Sequence, residues 1–388
     1  MILQKILSQL LNSKTYFTPF CSSKMVLFRF LRIKNTILHF CVKNKYQIKF
    51  GVYPCNLCLI RKIFTLIFLL LLLNIPIGGF CGKIKWGFWA HQRINRLAVF
   101  SLPPEMQVFF KTQINYLTEN AVNPDKRRYA VVGEAPRHYI DAEAYGDSAL
   151  YKLPYYWKEA VEKYGEDTLA LNGTVPWAIQ QYKFQLTEAF RQKNPRRILR
   201  VAADLGHYIA DANVPLHTTR NYNGQMTGQE GIHAFWESRV AELYGESYDM
   251  FVGAAMYEHK VAHRAWQAVR NANAGLDSVL RFERELSAKF RPEQKYVLED
   301  RNGMIVKTYS REFSERYHQL LNHQVERQMR ASVKMVADFW FTCWVDAGQP
   351  ILSDFSHFDL DEQAKREEKE EKMGWLKRLF SVRTESDN

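Results

Sequence analysis

The sequence predicts an all-α protein, a multi-helix bundle with one small β-hairpin insertion near 296–309. Three observations lead there. From Trp86 onward apolar residues recur at helical spacing over long runs. Prolines and an asparagine stand where helices begin, and the one clear strand-turn-strand pattern surrounds Asn302-Gly303. With 388 residues and 47% hydrophobic content, the chain has ample material for a packed core.

Taken in order, Pro103 and Pro104 open a helical run over Glu105–Glu119, and Pro154 opens another. Asn194 and Pro195 supply a cap and a first-turn proline for Arg196–Asn213, where Ile198, Val201, Ala202, Leu205 and Ile209 repeat as a core helix does. A helical pair is expected over Tyr248–Ala274 and Leu276–Lys289, and a long helix over Ser310–Trp344. The β-type runs of Tyr296–Tyr309 form the hairpin. Beyond Asp354 the composition turns to charge, so 351–388 reads as a C-terminal tail, with 361–372 a solvated helix or coil and Trp375–Phe380 either a frayed end or a membrane-touching segment.

The formal charge of +12 is unevenly placed. Residues 1–85 carry 13 Lys and Arg and no Asp or Glu, which leaves 40 basic and 41 acidic residues from Trp86 on. The body therefore lacks the basic footprint of a duplex-binding protein. Cysteines divide likewise: Cys21, Cys41, Cys55, Cys58 and Cys81 precede the body, and Cys343 alone lies in it, so the body forms no internal disulfide. Cys55 and Cys58 make a lone CxxC without the second pair that a zinc site needs.

Arg61 and Lys62 precede the apolar run Ile63–Leu73, which exits through Asn74, Pro76, Gly78 and Gly79. The run is shorter than the roughly 20 residues of a membrane span, and the order of charge, apolar run and small residues is that of a secretory signal. Residues 1–81 are thus a basic leader and signal, with 1–60 readable as an upstream extension of the reading frame. Cleavage after Cys81 yields an exported protein, periplasmic or secreted; the alternative is membrane anchoring through the leader or a lipidated Cys81.

Within 31 residues the chain places His207, Asp211, His217, His233 and Glu237. His207 and Asp211 are four apart on one helix, so their side chains rise on one face. His233 and Glu237 repeat that spacing on the next, and His217 follows the helix-ending Pro215 on a loop. Imidazole and carboxylate together suit zinc, and two such pairs with a further histidine supply donors for more than one ion. Upstream, His91, Asp125, His138 and Asp141 are further candidates, whereas His259, His263, His318, His323 and His357 lie apart from the cluster. There is no glycine-rich phosphate loop and no nucleophile elbow, which leaves nucleophilic serine or cysteine chemistry without support.

The segment Leu205-Gly206-His207-Tyr208-Ile209-Ala210-Asp211-Ala212-Asn213-Val214-Pro215-Leu216-His217, followed by His233-Ala234-Phe235-Trp236-Glu237, resembles the superfamily of bacterial zinc-dependent phospholipase C and the single-strand-specific nucleases. The resemblance implies an all-helical fold with a metal cleft, spanning 86–350, and two or three zinc ions. It implies that Asp125, His138, His207 and Asp211 hold one zinc, and His217, His233 and Glu237 a second. A third would take His91 and a bridging Asp211, together with the main chain of Trp86. Cleavage after Cys81 leaves four residues ahead of Trp86, so two zinc ions are the alternative.

Glu237 and the 16-residue step from His217 to His233 are similar to the phospholipase branch, whereas the spacing of Trp86 and His91 is similar to the nucleases. The expected function is hydrolysis of a phosphodiester by metal-activated water, with Asp125 as the group that orients or deprotonates it. The substrate is a phospholipid or another phosphodiester; nucleic acid is the alternative, and a non-catalytic helical zinc-binding protein a third reading. Nothing in the sequence points to a stable protein partner.

Overall fold

In a computed structural model, residues 88–355 and 358 are described, apart from 129 and 302. Trp86, the leader with its CxxC and signal, and the tail from 359 lie outside them. The helices are α1 (Phe88–Ala98), α2 (Pro104–Phe110), α3 (Ile114–Asn120), α4 (Asn123–Arg127), α5 (Trp157–Tyr164), α6 (Glu166–Asn172), α7 (Val175–Arg191) and α8 (Pro195–Ala212). They continue with α9 (232–244), α10 (Val261–Ala274), α11 (Leu276–Ser287), α12 (Arg311–Leu321) and α13 (Gln324–Asp346). The two strands, β1 (Tyr296–Arg301) and β2 (Met304–Tyr309), pair antiparallel, with Tyr296 opposite Tyr309. The protein is all-α with a small hairpin. Among the described residues no helix is long and apolar enough to cross a membrane.

Helix α8 is the axis of this arrangement. Pro195 begins it, and the Asn194 side chain accepts from the Arg197 N–H at 3.0 Å, satisfying one of the donors a helix start leaves open. From Val201 to Thr219 every residue is buried, as expected where a helix is enclosed on all sides. It packs against α1, α3, α7, α10 and α13, and the Trp340 indole of α13 donates to the carbonyl of Ala202 at 3.1 Å. The approach of α1 is close. A Cβ on Gly206 would stand 1.9 Å from Asn95 Oδ1, and Asn95 is itself fixed by donating to the carbonyls of Ala203 and Leu117.

Several expected helices are cut shorter, each for a local reason. The run Glu105–Glu119 breaks at 111–113, where the Thr112 hydroxyl donates to the Phe109 carbonyl and Gln113 Nε2 to that of Phe358. Pro154 does not open a helix. Its carbonyl accepts from Trp177 Nε1 and that of Tyr155 from Gln180 Nε2, and α5 begins only at Trp157.

Residues 248–260 are irregular, and several of their N–H groups bond outside the segment, that of Met256 to Asp338 and that of Glu258 to Thr342 on α13 and that of Ala255 to the Ser101 carbonyl. The long run Ser310–Trp344 is divided into α12 and α13 by Asn322 and His323, both in the left-handed region. A pattern of apolar spacing continues across such a turn and does not reveal it.

Replacing Gly206 by Ala is expected to lower stability by about 1–3 kcal/mol through overpacking against Asn95. Thermal unfolding measures it, and an unchanged Tm contradicts the close approach.

Candidate metal centre

Six segments deliver eight side chains to one place. His91 comes from α1, Asp125 from α4, His138 from the 3-10 turn Ala135–His138, and His207 and Asp211 from α8. His217 lies on the turn Pro215–Thr218 and His233 and Glu237 on α9, which widens to a π-helix over Phe235–Val240. Three sets lie with their donor atoms within 4.8 Å of one another: His91, His207 and Asp211; Asp125, His138 and His207; His217, His233 and Glu237.

Asp211 is the hub. Its Oδ2 lies 2.9 Å from His138 Nδ1 and 3.2 Å from His207 Nε2, and its Oδ1 lies 3.5 Å from both His91 Nε2 and His217 Nδ1. Asp125 completes the set with His138 and His207, its Oδ1 3.7 Å from His138 Nδ1 and 4.0 Å from His207 Nε2. In the set of His217, His233 and Glu237, His233 Nε2 is 2.7 Å from Glu237 Oε2 and 2.9 Å from His217 Nε2. The other oxygen of Glu237 reaches His91 Nε2 at 3.1 Å, and the His91 ring stacks on His207 with centroids 4.1 Å apart.

The tautomers follow from main-chain acceptors. His207 Nδ1 donates to the carbonyl of Ala121 at 2.8 Å and His217 Nδ1 to that of His138 at 2.5 Å. Each Nε2 lone pair is thereby aimed into the cluster. Burial works against charge on His207, yet Asp211 and Asp125 beside it outweigh burial and raise it to about 9. Burial is likewise overcome at Asp211, where His207 and His217 hold the carboxyl well below the ordinary range. At Glu237 the hydrogen bonds from His217, His233 and His91 do the same. His138 is the exception, since burial lowers its pKa despite Asp211. Three carboxylates gathered among imidazoles thus attract a cation, whether proton or metal.

The donor set fits zinc. It offers imidazole nitrogen and carboxylate oxygen, and the single described cysteine, Cys343, is buried and belongs to none of the three sets. Donors on one tetrahedral zinc, each at about 2.0–2.1 Å, stand roughly 3.3 Å apart. The contacts of 2.7, 2.9 and 3.5 Å among His217, His233 and Glu237 match such a face, as do those of 2.9, 3.0 and 3.2 Å among His138, His207 and Asp211. Every ligand that the resemblance assigned within the described residues is brought in. Asp141 is not. It lies at a neighbouring cavity, its carboxyl pushed up to about 6 by burial and by Glu143. His259, His263 and His318 stack or abut on Tyr257, Tyr155 and Tyr244, and His323 pairs with Glu326; His357 lies outside the described residues.

Behind His138 lies a network that sequence reasoning missed. Glu134 Oε1 is 3.8 Å from His138 Nε2, a buried nitrogen with no hydrogen-bond partner among the described residues. Glu134 accepts from Tyr208 and from Arg137 (2.9 Å) and pairs with Arg127 Nε (3.2 Å), while Arg127 grips Asp204 through two bonds of 2.9 and 3.1 Å. The available signal was Asp204 and Tyr208, a buried acid and a tyrosine four apart on α8.

A cavity of about 320 Å³ opens beside His217 and His233, lined among others by these two, Arg128, Tyr139, Arg220 and Tyr222. Fold and site together define an all-α protein with a candidate multi-metal centre of nitrogen and oxygen donors. No protein-family profile and no curated protein matches the chain. Among solved structures it is similar to the alpha toxin from Clostridium absonum, 11% identical with a TM-score of 0.38, over 66% of this chain and 64% of that one. The chain therefore spans less than two thirds of that protein's length.

Glu134→Gln keeps the shape and removes the charge behind His138, and zinc affinity is expected to fall about 10–100-fold. A competitive chelator titration reads it, and an unchanged affinity assigns Glu134 a purely structural part.

Proposed function

We propose that the chain is an exported zinc-dependent hydrolase of phosphodiesters, acting like a phospholipase C with water as nucleophile. The observation that carries this reading is the convergence of eight nitrogen and oxygen donors in three sets around Asp211 and Glu237, beside an open cavity. Zinc held there would polarise a phosphoryl oxygen and make water acidic near neutral pH. We assign one zinc to Asp125, His138, His207 and Asp211 and a second to His217, His233 and Glu237, with His91 and Asp211 toward a third.

The chain's own residues divide the remaining work. Asp211 and Glu237, held ionised, fix the charge and orient the imidazoles. Asp125 is the more exposed carboxylate, with 18% of its side chain accessible against 1% for Asp211. We assign to it the proton of the attacking water, taken on a carboxylate oxygen, so that water is the nucleophile and no covalent intermediate is needed. Structural metal sites are closed; here His233 retains 23% exposure and lines the cavity, which argues for catalysis.

A phospholipid is the substrate we favour, since the body from Trp86 on is nearly neutral. The Arg128, Arg220, Tyr139 and Tyr222 lining gives single-stranded nucleic acid as the second reading, because cations with aromatic rings also suit bases. Phosphatidylcholine and denatured DNA, assayed side by side on the zinc-loaded protein, separate the two.

Asp211→Asn is expected to lose both zinc and turnover, because that carboxylate is assigned to two of the ions; full zinc occupancy with turnover intact overturns the assignment. For Asp125→Asn the rate should fall about 10²–10⁴-fold while at least one zinc stays bound. An unchanged rate removes the base role.

A further inference from the structure

We infer that the rim of the cavity beside His217 and His233 is a docking surface for an anionic lipid bilayer. The inference rests on the phospholipid reading of the site and adds how a substrate held in a bilayer reaches it.

Two loops border the cavity. Residues 128–134 join α4 to the turn carrying His138, and residues 219–231 join the turn of His217 to α9. Both border the cavity, the first through Arg128 and the second through Arg220 and Tyr222. Val132 on the first loop is fully exposed and Val131 46% exposed; on the second, Tyr222 is 51% and Met226 70% exposed.

Single apolar residues at a surface need no explanation. These four are grouped on the two loops that connect metal-ligand candidates, and the loops are held in shape. The N–H of Val131 donates to Arg127 at 2.9 Å, that of Met226 to Asn221 Oδ1 at 2.8 Å, and Gln229 Nε2 to Leu280 at 2.8 Å. The apolar side chains are therefore presented to solvent by a pinned backbone, and covering them removes apolar surface from water.

Charge selects the partner. Arg128 and Arg220 form no ion pair with any described residue, and the neighbouring Glu143 is engaged by the Thr219 hydroxyl and the Arg220 N–H. Two guanidinium groups at the cavity, against the single carboxylate of Asp141 there, on loops that also carry exposed aliphatic side chains, match a bilayer, where phosphates lie above acyl chains. A single nucleic-acid strand would use the arginines and Tyr222, and it would leave Val131, Val132 and Met226 in water, since aliphatic side chains offer bases no stacking face.

Hydrogen-deuterium exchange of the full zinc-loaded chain tests this, with phosphatidylglycerol vesicles, phosphatidylcholine vesicles or oligothymidylate added in turn. Amides of 130–133 and 220–228 should slow by at least about tenfold with phosphatidylglycerol and little with the other two. The double variant V132D/M226D should lose that protection while hydrolysing soluble bis(p-nitrophenyl) phosphate at the wild-type rate. Unaltered exchange of both loops on phosphatidylglycerol vesicles, including vesicles bound through another part of the chain, overturns the inference, as does equal protection by oligothymidylate. Protected loops in a protein that leaves bis(p-nitrophenyl) phosphate intact uphold the surface and instead defeat the catalytic reading.

Discussion

Burying a carboxylate costs several kcal/mol unless positive charge and hydrogen bonds offset it, and Asp211 is 1% exposed on a helix enclosed from Val201 onward. That requirement organises the protein. Its two oxygens are met by imidazoles from four different segments: His138 and His207 at one, His91 and His217 at the other. Each of those histidines fixes the position of its own segment, so α1, the turn at His138 and the turn at His217 are tied to α8 through the same side chain. Glu237 extends the arrangement by one step, taking His217 and His233 on one oxygen and His91 on the other.

The consequence for chemistry is a graded site. At its centre the carboxylates are buried and kept ionised by their histidines, which favours a bound cation over water. Toward the outside, Asp125 and His233 keep some exposure and His233 meets the open cavity. The proposed mechanism would place its base at that edge and its bridging ligand at the centre. Behind the centre, the pairing of Arg127 with Asp204 and Glu134 stiffens the wall against which His138 rests.

The core of this site was legible because short-range geometry carries it. Residues four apart on a helix share a face, so His207 with Asp211 and His233 with Glu237 could be paired from spacing, and Asn194-Pro195 marked where α8 starts. Asp125, His138 and His91 are scattered over separate segments, and only the resemblance joined them to the cluster. The Glu134 network escaped because its members come from three parts of the chain and meet through tertiary packing. Helix ends were misjudged where long-range bonds decide them, as at 248–260 along α13, or where Asn322 and His323 turn the chain without interrupting its apolar rhythm.

Zinc X-ray absorption on the purified, metal-loaded protein tests the central claim most directly. More than one zinc per chain is expected, surrounded by nitrogen and oxygen alone at about 2.0–2.2 Å. A sulfur shell near about 2.3 Å, or a protein that retains no zinc, would contradict it.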